Sequence, residues 1–478
     1  MLGFRVFDRA AGMLSILILA RLLQPEHFGI VALASTVVAF VELLSALGLD
    51  TILIQRRDLT RAHYDTAWTI QLGIAAVCAT LLALAAVPSA MAFREPRLAG
   101  IVYVLAVSLL VEGFTNIRLV DFRREMRFDK EFAFLASRRV ASVIVTTAAA
   151  FALRNEWALA IGMLSSRLVG VVLSYGMRPS RPRFSLEYRR EFFGKSSWLL
   201  ASNLVMFVRN RTAHVALGRF ADAAAVGTYT LASDLANMVG QELVAPINRV
   251  ALPHFSLGGS RAAVGERFDG VTGQVAIALA PLGLGMVACA DLLVPVLFGE
   301  AWIDAVDVLR YLALAALVAG LASNIGIAFL SLGQYRANAA IHAVGALSVL
   351  PLLAAGVYLA GAPGAAMAVL AGNAITALTS LIVAKHAFDY GPWRFLVRIW
   401  RPISAATLMY LLVEYAGAKW FASSPEIVRL VLEVGWGAIV YAGALWLLWG
   451  ACGFPDGPER YALRLVRKVL ARFLPMAR

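Results

Sequence analysis

The residues of this chain that could do chemistry stand in costly places. Arg167, Arg209, Arg211, His214, Asp234 and Glu42 all lie inside long apolar runs. An ionisable side chain at mid-bilayer depth costs about 2.5 kcal/mol or more, so it turns toward a protein interior or toward water. That pattern suits the handling of a charged solute rather than bond making. Phosphate-loop GxxxxGK[ST], DxD, HExxH and GxSxG patterns are missing from the sequence, so no ATPase, zinc peptidase or serine hydrolase chemistry is expected. The three cysteines, Cys78, Cys289 and Cys452, are far apart and form no CxxC pair. His214 has no Cys or carboxylate at ligand spacing, so neither a metal nor a cofactor is expected.

Helical phase, at ~100° per residue, sorts the polar residues by face. Around Asn210, Asn203 falls at ~20° and His214 at ~40°, with Arg211 and Arg209 at ~100° on either side. Thr230, Asn237, Gln241 and Asn248 all fall within ~60° of Asp234. A polar stripe on a helix otherwise made of Ala, Val and Leu points either to a wet neighbour or to an ion pair with another helix. Arg167 shares a face with Gly170, Ser174 and Arg178, and reads as a cavity residue or a buried structural pair. Arg310 and Asn324 share a face too, although Arg310 lies near a helix end where an interfacial anchor serves equally well. Asn373, Thr376 and Ser380 line up as for helix–helix contact. Arg21 stands on an apolar stripe just before Gln24-Pro25 and reads as a helix-end anchor or a substrate-binding cavity residue.

The elements that must hold these residues follow from composition. Of 478 residues, 60% are apolar and 15% charged, too few polar groups to cover a water-facing surface. Runs of about 20 apolar residues mark membrane-crossing helices. They fall near 4–23, 27–48, 65–93, 98–117, 132–153, 156–177, 196–218, 222–246, 271–291, 307–332, 338–360, 363–387, 399–416 and 427–450. The fold class expected is all-α integral membrane, with about fourteen spans in two six-helix lobes plus two accessory helices. The net charge of +13 suggests no nucleic acid, because most Lys and Arg fall in alternate short loops. Arg56, Arg57 and Arg61, the Arg118–Lys130 group and the Arg178–Lys195 group would lie inside, against only Arg94, Arg97, Arg154, Arg219, Lys419 and Arg429 outside. This bias predicts cytoplasmic ends for both termini. Residues 1–177 form a first lobe, 178–195 a cytoplasmic linker, 196–387 a second lobe and 388–450 the accessory helices. Residues 451–478 form a basic amphipathic tail suited to an anionic leaflet.

An internal repeat supports the two lobes. Leu19–Ser35 aligns without gaps on Leu217–Ser233, with identities at Leu19/Leu217, Arg21/Arg219, Gly29/Gly227, Leu33/Leu231, Ala34/Ala232 and Ser35/Ser233. Six spans separate the copies, so the halves share an orientation and are related about the membrane normal. Transporters use such parallel repeats.

The run Ile18-Leu-Ala-Arg-Leu-Leu-Gln-Pro-Glu-His-Phe-Gly-Ile-Val-Ala-Leu-Ala34 resembles the first-helix signature of bacterial Wzx-type oligosaccharide flippases, the polysaccharide-transport branch of the MOP superfamily. Gly218-Arg-Phe with Val226-Gly-Thr-Tyr-Thr-Leu-Ala232, and Leu332-Gly-Gln-Tyr, resemble further family segments. The resemblance implies a V-shaped pair of lobes around a central cavity in the bacterial inner membrane. It implies movement of undecaprenyl-pyrophosphate-linked sugars to the outer leaflet by alternating access, for O-antigen, capsule or exopolysaccharide, without enzymatic activity. Partners would be the lipid-linked oligosaccharide, membrane lipids, and the polymerase and chain-length proteins of the same pathway. Of the candidate residues only Arg21 lies in the matching motif. Members usually carry more residues before the first helix, so a longer start is expected. With no nucleotide site, the drive would come from an ion gradient, the membrane potential or polymerisation, and Asp234 and Glu42 are the proton or sodium candidates. Two alternatives remain. One is a drug/cation antiporter of the same superfamily coupled at Asp234. The other is a membrane glycosyltransferase or polymerase, against which the short outer loops count.

Overall fold

The structure, a computed structural model, describes residues 2–43, 49–56, 58–193, 197–257, 261–455, 457–460 and 463. Its regular structure is helical, and the described residues contain no strand. Among the described residues, each apolar run read from the sequence overlaps a helix. These are α1 (Leu2–Leu22), α2 (Pro25–Glu42), α4 (Arg61–Phe93), α5 (Arg97–Gly113), α7 (Phe128–Leu153), α8 (Trp157–Met177), α10 (Ser197–Phe220), α11 (Ala223–Phe255), α12 (Arg261–Ala288), α14 (Ala305–Ser331), α15 (Tyr335–Phe388), α16 (Pro392–Lys419) and α17 (Glu426–Ala451). Short helices α3 (Leu49–Gln55), α6 (Val120–Arg124), α9 (Arg189–Phe193) and α13 (Ala290–Phe298) lie between them. Among the described residues nine helices are long and apolar enough to cross a membrane, and α5 with the bent segment after it makes ten. The chain is therefore a multi-pass, all-α membrane protein.

The 54 residues of α15 do not form one rod. Ala360 and Gly361 have non-helical backbone, and Gly361 takes φ +57°, ψ −130°, which glycine adopts without a Cβ penalty. The two arms fold back on each other: a Cβ on Gly345 would strike the Thr376 side chain, one on Gly372 would strike Val349, and one on Gly364 would strike the Gly356 carbonyl. This hairpin matches the pair of runs at 338–360 and 363–387. Glycine at each crossing lets the arms approach closely, as small residues do between helices in lipid.

Two compact units emerge, Met1–Thr230 and Leu231–Arg478, with the division falling inside α11. In the first, α4 packs on α5, α7 on α8 and α5 on α8, and α2 lies against α5 and α10. In the second, a core of Phe268, Val275, Leu279, Ile325, Phe329, Ala384 and Phe388 joins α12, α14 and α15. A second cluster around Ala406, Met409, Val413 and Tyr441 seats α16 and α17.

The repeat has a structural counterpart inside the first unit. Pro25 opens α2 after Gln24, whose backbone N–H donates to His27 Nδ1 at 3.2 Å. At the aligned position Asp222 accepts from the Ala225 N–H at 2.7 Å as α11 begins. The two helix starts meet glycine to backbone. A Cβ on Gly29 would collide with the Ala223 carbonyl, and one on Gly227 with the Pro25 carbonyl. The amphipathic tail expected over 451–478 lies mostly outside the described residues, which end at Leu463. Of its described residues, Glu459 forms a buried ion pair with Arg401 at 3.1 Å.

Candidate functional site

Arg167 leads to the densest charge cluster of the first unit. α8 carries it inward, and its guanidinium pairs with Glu112 of α5 and stands 3.9 Å from Glu42 at the end of α2. Arg138 of α7 reaches the other oxygen of Glu112 at 3.5 Å. Two carboxylates and two guanidiniums from four helices thus form a charge-balanced group. Their side chains remain 21–39% exposed, so the group is neither sealed nor fully wetted. The face of α8 recognised by phase is the face that does this work. Gly170 makes room for Arg138, whose Nε a Cβ there would meet at 2.9 Å. Ser174 Oγ accepts from the Asn116 backbone N–H at 3.0 Å, and Arg178 pairs with Glu125.

A cavity of about 380 Å³ adjoins the cluster, and Glu112, Arg138, Asp50, Arg123, Glu131, Gln71 and Cys78 are among its lining residues. Arg123 Nε donates to Glu131 Oε1 at 2.6 Å and stands 3.6 Å from Asp50. Glu131 and Arg138 lie seven residues apart on α7, hence ~20° apart around the helix, so one face of α7 lines the hollow with both charges. Arg139, on the adjacent face, pairs with Asp8 of α1 at 3.3 Å. Arrangements of this kind can hold and exchange an anion or a small cation, because each charge has a partner that can be swapped for a ligand without stranding it.

The other sequence candidates scatter. Arg21 is exposed at the end of α1. On α10, Asn210 is exposed, Arg211 half-buried and His214 buried, edge-on to Tyr229 at 5.6 Å with its Nδ1 lacking a hydrogen bond. The side chains of Asn203, Arg209 and Gln241 lie outside the described residues. In the second unit Asp234 and Asn237 are exposed, and Asn237 donates to Ser233 Oγ at 3.0 Å. Arg310 pairs with Asp291 and, at 3.2 Å, with Asp307. Asn324 is fully buried in the apolar core with neither amide atom hydrogen-bonded. Asn373 donates to the Ala315 carbonyl at 3.1 Å, a helix–helix contact. Among the described residues no three His, Cys, Asp or Glu side chains converge as metal ligands would.

Sequence reading passes over Glu112 and Arg138, although both are charged residues inside apolar runs and the same cost argument applies to them.

A family profile described as "Polysaccharide biosynthesis protein" matches residues 18–307. The lipopolysaccharide biosynthesis protein WzxC of Escherichia coli K12 is 23% identical over 415 residues, covering 85% of this chain and 83% of that protein. The succinoglycan biosynthesis transport protein ExoT of Rhizobium meliloti is 25% identical over 430 residues, covering 89% and 87%. Among solved structures, the lipid II flippase MurJ in an inward closed conformation superposes with a TM-score of 0.74 at 12% identity, over 95% of this chain and 100% of that one. A multidrug resistance MATE transporter of the MOP superfamily gives 0.55 at 13% identity, over 80% and 94%. The fold is therefore shared with these two transporters, and the chain belongs to the polysaccharide biosynthesis protein family.

Proposed function

We propose that this protein is a flippase that carries lipid-linked oligosaccharide, with its diphosphate, from the cytoplasmic to the outer leaflet, and that it works as a transporter and not as an enzyme. The observation that carries this reading is the paired Arg138–Glu112–Arg167–Glu42 cluster set among apolar helices beside a hollow that further charged residues line. A sugar head with a diphosphate cannot cross hydrocarbon unaided, and a few cations spaced along a path replace its hydration. Opposite charges attract strongly where the dielectric is low, so isolated arginines would trap the diphosphate. Arginines already held by carboxylates release it more readily.

Ion coupling belongs to the same cluster. Glu42, 3.9 Å from Arg167, is the carboxylate whose loading with a proton or sodium ion leaves Arg167 held by Glu112 alone and readier to meet another anion. WzxC and ExoT are named for polysaccharide biosynthesis and transport, which supports the substrate class. The bias of basic residues toward alternate loops supports cytoplasmic termini in a bacterial inner membrane. A polymerase and chain-length protein of the same pathway would take up the product.

The test is complementation of a deletion strain. Wild-type protein restores surface polysaccharide. Arg167→Ala at unchanged protein level does not, and lipid-linked oligosaccharide accumulates on the inner leaflet. Normal polymer from Arg167→Ala and from Arg138→Ala overturns the reading.

A further inference from the structure

A second hollow of about 520 Å³ lies where the first turn of α4 meets the segment after α5 and the linker that follows α8. Its polar wall is cationic. Arg61, Arg118 and Arg181 line it against a single carboxylate, Asp65. Asp65 is already engaged: it stands 3.6 Å from Arg61 Nε and accepts the Arg183 backbone N–H at 3.1 Å. Arg118 is half-buried with its guanidinium 4.9 Å above the Tyr64 ring. Among the described residues no carboxylate lies within ion-pair distance of Arg118 or of Arg181. Arg118, partly desolvated and without an anion, carries a cost that a bound anion would relieve, while Arg181 stands exposed in the wall. Ser180, whose hydroxyl donates to Asn116 Oδ1 at 2.9 Å, adds a neutral polar group to the wall.

We propose that this hollow binds a phosphate group, supplied by the headgroup of an anionic phospholipid. Guanidiniums suit phosphate because their planar forks bind its oxygens two at a time. The volume lies within the range of small-ligand sites. Two placements favour a lipid over a soluble anion. The hollow sits at the start of the apolar run of α4, the depth at which headgroups lie. Beside it the linker presents Phe184, 77% exposed, and Leu186, 51% exposed, with Phe184 5.5 Å from Trp68. Exposed apolar side chains next to a cationic hollow match a phosphate joined to acyl chains. A bound headgroup would also join Arg181 of the linker to Arg118 and Arg61, fastening the linker to the body of the first unit. The proposal does not depend on what the protein transports.

The experiment is native mass spectrometry of the full chain, released from nanodiscs of phosphatidylcholine alone or mixed with phosphatidylglycerol. Wild-type protein retains phosphatidylglycerol in preference to phosphatidylcholine. Arg118→Gln/Arg181→Gln binds the tightest phosphatidylglycerol roughly tenfold more weakly, a loss of about one strong contact. Arg189→Gln/Arg190→Gln, which removes the same charge from exposed positions of α9, stays within about twofold. Arg118→Lys/Arg181→Lys keeps the charge and retains part of the preference, which guards against a misfolded double variant. Displacement by inorganic phosphate supports phosphate as the recognised group, with soluble anion as a second source. Equal weakening by the α9 variant, or no preference for phosphatidylglycerol in the wild type, overturns the proposal.

Discussion

Neutralising Glu112 tests whether the intramembrane cluster behaves as one unit. Glu112 receives Arg167 and Arg138 together, so Glu112→Gln leaves two guanidiniums with only Glu42 near them and gives the group a net positive charge. Breaking a fully buried pair costs about 3–5 kcal/mol. Here the side chains are 21–32% exposed, and the discount for partial solvation brings the expected loss to about 2 kcal/mol. Arg167→Gln should cost less, about 1 kcal/mol, because Glu112 keeps Arg138. The double variant restores neutrality, and its loss should fall short of the sum by about 1 kcal/mol, the coupling between partners in contact. Unfolding by sodium dodecyl sulfate in mixed micelles reads all three. Surface polysaccharide in the deletion strain provides the second axis: the double variant is about as stable as Glu112→Gln alone but does not transport, since Arg167 is gone. Additivity within about 0.3 kcal/mol would show that no such pair forms in the protein and would refute the argument.

Three further outcomes follow from other contacts. Gly29→Ala or Gly227→Ala forces a methyl group onto a facing carbonyl and should destabilise by about 1–3 kcal/mol in the same unfolding assay; Gly73→Ala, where a Cβ meets nothing within 4 Å, should be neutral or stabilising by up to about 1 kcal/mol. Gly361→Ala strains the positive-φ turn of the α15 hairpin and should cost about 1 kcal/mol or more, read as a lower thermal midpoint. The hydrogen bond from Arg178 holds the Glu125 carboxyl below its usual pKa of 4.5. A lowered folded pKa gives a contribution that is complete above the unfolded value and lost as pH falls through the folded one. Protease nicking of the linker should therefore stay constant from about pH 7 to about pH 5 and rise only in stronger acid, whereas Arg178→Gln raises it across that range.

Much of the architecture was legible in the sequence because lipid demands it: a helix that crosses hydrocarbon must be apolar for about 20 residues, and those runs stand out. Helix ends were less legible. α12 starts at Arg261 rather than near 271, through the polar stretch Glu266, Arg267 and Asp269, and α11 continues through Pro246 and Pro253 to Phe255. Helices project beyond the hydrocarbon, where hydropathy no longer tracks them. For the candidate site, phase on α8 identified the face of Arg167 but not its partners. Glu112 and Arg138 come from other helices, and a single helix's periodicity says nothing of which neighbour meets it. The Gly29/Gly227 alignment was visible as a repeat, yet that the copies touch depends on tertiary packing alone.

That contact has the character of a dimer interface built into one polypeptide. Each copy offers the other the same patch, a glycine set against a carbonyl at the opening turn of a helix, which is the reciprocity that two-fold symmetric subunits share. A bulkier residue at either glycine would be opposed by the backbone of the other copy, so the two turns are bound to vary together.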